Sequence, residues 1–117
     1  MQASEVDSRS RRKALEMART VSREAPQSKL TIAKTPGFLD SLVTSVDHRD
    51  SLVVGSALGL LHELVDDQQA LAVVRGAPEL VDAFSRVHSK LLEMTGDDRE
   101  AVLEEVEMAK VVAEYIL

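Results

Sequence analysis

Shifted by 41 residues, the chain lies on itself. Leu30 falls on Leu71, Ile32 on Val73, Lys34 on Arg75, Leu39 on Leu80, Val43 on Phe84 and Val46 on Val87. The turn Thr35-Pro36-Gly37 falls on Gly76-Ala77-Pro78. A shift of 43 lays Ala14-Leu15 on Ala57-Leu58 and Val21 on Leu64. A shift of 51 lays Leu60-Leu61 on Val111-Val112, which places an insertion around Glu93 to Arg99. Repetition at this length is a strong constraint. One unit cannot bury its own apolar face, so neighbouring units must stack and cover each other.

Within the units the apolar spacing is helical throughout, with no alternating strand signal. From Ser8, residues Ala14, Leu15, Met17, Ala18 and Val21 are read as one apolar face, and Pro26 as the stop of that helix. A short segment with Leu30, Ile32 and Ala33 follows. The next helix runs from Phe38 to about Val46, with Leu39, Leu42, Val43 and Val46 at i, i+3, i+4, i+7. Asp50 or Ser51 caps a helix over about 51–66 that is apolar on nearly every side, as expected of the central element. Asp66 and Asp67 open a shorter segment through Val74, and Pro78 suits the first turn of a helix continuing through Leu92. The last helix is expected from about Arg99, with Val102, Val106, Ala109, Ala113 and Ile116 as its stripe. Residues 1–7 are polar and read as a flexible tail, leaving 8–117 as one domain.

The stretch ALGLLHELVDDQQALAVVRGAPELVDAF, Ala57 to Phe84, resembles an armadillo repeat, and ALEMARTVSREAPQSKLTIAKTPGFLDSLV is a weaker second copy. The resemblance covers roughly residues 10–95, with 97–117 as a further third helix. It implies an all-α fold, a short right-handed α-solenoid of the armadillo/HEAT kind with about six to seven helices. Its concave face would be lined by each unit's third helix. Peptide-binding members of that family carry a Trp on the third helix and an Asn four residues later. The Trp-like positions here are Glu16, Gly59 and Lys110, and the Asn-like positions are Thr20, Glu63 and Glu114. The chain contains neither Trp nor Asn, so a groove built on these six residues must use other chemistry. Glu16, Glu63 and Glu114 would make it mildly acidic and suited to a basic partner, unless they are simply solvated. Gly55 and Gly59, four apart on one face, allow either close helix packing or a narrow peptide slot.

Composition narrows the function. The net charge is −6, against a general nucleic-acid binder; no helix after residue 30 is basic. The cluster Arg9, Arg11, Arg12, Lys13 reads as a solvated helix start, or as a nuclear-targeting or phosphate-contacting arm. No cysteine is present, which removes disulfides, thiolate metal sites and cysteine nucleophiles. The longest run without a formal charge, Ser51 to His62, is too short for a span, which takes ~20 residues. His62-Glu63-x-x-Asp66 lacks the second His of a zinc helix, and Gly55-Ser56-Ala57-Leu58-Gly59 is not a nucleophile elbow.

The expectation is therefore a cytoplasmic protein, with the nucleus open to it, that is not an enzyme and needs no cofactor or metal. It would act as a scaffold or adaptor module binding another protein or a peptide, without nucleic acid or a membrane span. The alternative is a structural helical subunit that self-associates. Capping units normally turn a polar face outward, whereas the C-terminus is apolar. Val112, Tyr115 and Ile116 are accordingly expected to mediate self-association or docking.

Overall fold

The computed structural model describes residues 3–117, and side chains from Asp7 onward. Eight α-helices and no strand are present among them: α1 (Ala3–Glu24), α2 (Lys29–Lys34), α3 (Phe38–Val46), α4 (Ser51–Leu64), α5 (Gln68–Arg75), α6 (Pro78–Glu93), α7 (Gly96–Ala101) and α8 (Leu103–Ile116). The boundaries follow local chemistry. Pro26 ends α1 and opens a single 3-10 turn, Pro26–Ser28. The Asp50 carboxylate accepts from the Leu52 N–H at 2.9 Å and so caps α4, and Asp67 accepts from Ala70 N–H at 2.8 Å and caps α5. Gly37, at φ 80°, makes the left-handed turn into α3 that a side chain would strain.

Two boundaries differ from expectation. α1 already begins at Ala3, so residues 3–7 are helical; residues 1 and 2 lie outside the described part. The last helix is divided in two. Val102, at φ −122° and ψ 26°, interrupts it without any Gly or Pro, and α7 becomes an extra helix.

Helices three places apart pack side by side, α1 on α4, α2 on α5 and α3 on α6, and so does α4 on α8, four places apart because α7 intervenes. Within units, α3 lies on α4 and α6 on α8. Four long-range hydrogen bonds keep a similar step, while Arg11 to Ser45 spans 34 residues. Ser56 donates to Glu16, Arg23 to Glu63, and Arg75 to the Tyr115 carbonyl, each 40 residues apart; Arg86 donates to Asp47 at 39. α4 lies between α1 and α8 and buries Val53, Ala57, Leu58, Leu60, Leu61 and Leu64.

Two expected faces are corrected by this packing. In α1 the buried line is Leu15 and Ser22, with Ala18 half-buried, at the spacing that meets α4. Met17 and Val21 remain 69% and 45% exposed, since α4 is the main neighbour of α1. In α8 the buried line is Val106, Ala109, Val112 and Ile116. Val112 and Ile116 therefore pack into the core against α4 and α6 and are unavailable to a second copy. Of the three residues expected to self-associate, only Tyr115 is exposed.

Asp7 shows how α1 is tied to the rest. Its carboxylate accepts from Arg11 Nε at 3.0 Å and lies 3.7 Å from His48 Nε2. The Arg11 hydrogen bond, with help from His48, holds the Asp7 carboxyl below its ordinary range. A carboxylate with a lowered folded pKa adds stability above its unfolded pKa and loses it as pH falls through the folded value. A carbon-detected NMR titration should show Asp7 ionising below the ordinary range, and Arg11→Ala should move it back up.

A mixed-charge groove across α1, α4 and α8

The surface over α1, α4 and α8 is where the six expected partner-binding residues bear on function. On α1, Arg12, Glu16, Arg19 and Arg23 recur at i, i+4, i+7, i+11 and share one stripe. Arg12, Glu16 and Arg19 line a depression of about 230 Å³ with Leu52, Gly55 and Ser56 of α4 and Glu104, Glu105 and Met108 of α8. A second depression of about 180 Å³ continues along α4 and α8, lined by His62, Glu63, Val65, Asp66, Val111 and Tyr115.

The two glycines are the reason side chains can reach across the floor. A Cβ built at Gly59 would lie 2.7 Å from Arg19 Nη1 and 2.8 Å from its Cζ. One built at Gly55 would lie 2.9 Å from Glu105 Oε1. The slots are thus filled from both sides, by a guanidinium from α1 and a carboxylate from α8, which is packing rather than an open peptide slot. Arg19 Nε is buried there with no hydrogen-bond partner in the protein. Burying a donor without an acceptor costs free energy.

Of Glu16, Glu63 and Glu114, expected to make the groove acidic, only Glu63 is ion-paired among the described residues. Glu16 Oε1 accepts from Ser56 Oγ at 2.8 Å, and Glu63 accepts from Arg23 Nε at 2.7 Å with its side chain only 17% exposed. Glu114 and Thr20 are exposed, and Lys110 is half-buried with its ammonium 3.5 Å from Glu107. The structure brings Glu16, Gly59 and Glu63 to the α1–α4 seam. Thr20, Lys110 and Glu114 make no equivalent contact across it. The residues missed by sequence reasoning are Arg12, Arg19, Glu104 and Glu105. They give one wall of the groove positive charge and the other negative. Arg23 was missed as well, because the shift of 43 that aligns this helix lays it on Asp66 and not on Glu63.

Among the described residues no cluster of three or more His, Cys, Asp or Glu is placed to hold a metal. No helix is long and apolar enough to cross a membrane. Comparison with known proteins gives no family model, no curated protein and no solved structure that matches the chain.

Proposed function

We propose that the chain is a short right-handed α-solenoid of the armadillo type, about two and a half units long, and that it works as a protein-interaction module. The groove over α1, α4 and α8 takes an extended segment of a partner protein. Support for the solenoid comes from the side-by-side packing of α1 on α4, α4 on α8, α2 on α5 and α3 on α6, and from four hydrogen bonds that span 39 or 40 residues. The observation that carries the binding reading is the opposed charge of the two walls, Arg12 and Arg19 on α1 across from Glu104 and Glu105 on α8, over an apolar patch at Leu52 and Met108. The partner segment would set an acidic group on Arg12 and Arg19, a basic group on Glu104 and Glu105, and an apolar side chain over Leu52, which is 58% exposed, and Met108. Such a segment carries both signs of charge, where the sequence pointed to a protein or peptide partner with a leaning toward a basic one.

The test is capture of partners from cell extract on the immobilised chain, beside an Arg19→Glu, Glu105→Arg variant, with identification by mass spectrometry. A central Arg anchor contributes ~2 kcal/mol or more, so binding of the true partner should fall by about thirtyfold or more. Circular dichroism should show the variant as helical as the parent. A partner held equally by both proteins would place the binding surface elsewhere.

A further inference from the structure

The charged groove uses one stripe of α1, and the packing on α4 uses another. A third stripe faces neither. Ala14, Met17 and Val21 recur at i, i+3, i+7 and are all exposed, Met17 at 69%. Beside it run Arg9, Lys13, Thr20 and Glu24, at i, i+4, i+11, i+15, also exposed. In the rest of the stack each such helix is covered by its neighbour: α4 covers α1, and α8 covers α4. α1 packs on α4, and Arg11 Nη1 reaches Ser45 Oγ of α3 at 3.5 Å, but Met17 and Val21 stay exposed outside these contacts.

We propose that a second copy of this chain covers it, with the two α1 helices antiparallel about a two-fold axis passing near Met17 and Ala18. The charge order carries this choice of occupant. The flanking row is basic toward the N-terminus, at Arg9 and Lys13, and acidic toward the C-terminus, at Glu24. A copy running the other way sets Lys13 beside Glu24 of the partner, and Glu24 beside its Lys13, so one apolar contact is closed by two ion pairs. A parallel copy would set like charges together. Head-to-tail stacking by the step of the packing would instead set α1 on α8 of the next copy, which exposes Leu103 and Val111 beside Glu107 and Glu114. That arrangement keeps Met17 of one copy away from Met17 of the other, so a Met17→Cys cross-link separates it from the isologous pair. An isologous pair also closes on itself and does not grow into a filament. The groove stripe of Arg12, Glu16 and Arg19 lies on another side of α1 and stays open in the dimer, so this inference does not rest on the groove reading.

Sedimentation equilibrium of the full chain from ~1 μM to ~1 mM tests it, over the range where small interfaces dissociate. The parent should reach dimer within that range. Met17→Glu, at an exposed site on a helix, should keep the circular dichroism spectrum and raise the dissociation constant at least tenfold. Lys13→Glu should weaken the dimer, and Lys13→Glu with Glu24→Lys should restore it. The chain has no cysteine, so Met17→Cys under mild oxidation should form a disulfide dimer, whereas Asp82→Cys should not. A monomer throughout the range overturns the proposal and leaves the stripe to a helix of a different protein. A dimer indifferent to Met17→Glu, a charge swap that fails to restore, or equal cross-linking through Asp82→Cys overturns it as well.

Discussion

Phe84→Ala should lower the stability of the chain by about 3–5 kcal/mol, read as a fall in the urea midpoint with little change in slope. Phe84 is the largest fully buried side chain. It lies on α6, which packs on α3 and α8, and its ring stacks on His88 with centroids 5.8 Å apart. Truncation leaves a hole that three helices must close, and close-packed helices relax only in part. The repeat supplies an internal control. Val43, the equivalent residue of the preceding unit, is only half-buried, so Val43→Ala should cost about 1 kcal/mol. Similar losses at the two sites would mean that the two units are not differently packed.

Removing α8 altogether, by ending the chain after Thr95, should abolish cooperative unfolding and leave a species that binds hydrophobic dyes. Val106, Ala109, Val112 and Ile116 are buried on α4 and α6. Burial of each Val or Ile side chain is worth roughly 1.5–3 kcal/mol, and deletion also bares the faces they cover. That total rivals the whole stability of a small domain, about 5–15 kcal/mol. The experiment separates two roles for the last helix. An arm that docks on partners would come off and leave a folded body behind; a wall of the core would not. Loss of the sharp thermal transition, with helix content partly kept, is the expected result.

The boundaries set by local chemistry were legible in the sequence. Asp50, Asp67 and Pro78 stand where caps and first turns need them, and α4, apolar on nearly every side, is the central helix. What could not be read was which side of a terminal helix has a neighbour. Ala14, Met17 and Val21 have the same spacing whether or not anything covers them, and only the stack decides that Leu15 goes inward. The break at Val102 has no Gly or Pro to announce it. At the groove, the glycines were found, but the side chains that fill them, Arg19 and Glu105, come from helices about 40 to 50 residues away. Formal charge on Glu16 and Glu63 misled for the same reason: their partners Ser56 and Arg23 lie one unit away, where counting along a single helix does not look.

The packing of α1 on α4 and of α4 on α8 also sets an order of events during synthesis. Leu15 has no cover until α4 has been made, and the inner face of α4 waits in turn for α8. At ~5–20 residues per second each wait lasts a few seconds, long beside the microseconds in which a helix forms. Each unit then closes a loop of about the same length as the one before, at about the same entropic cost. Such a chain assembles from its first helix onward, each new helix laid against one already in place, and its exposed apolar edge moves along with the growing end.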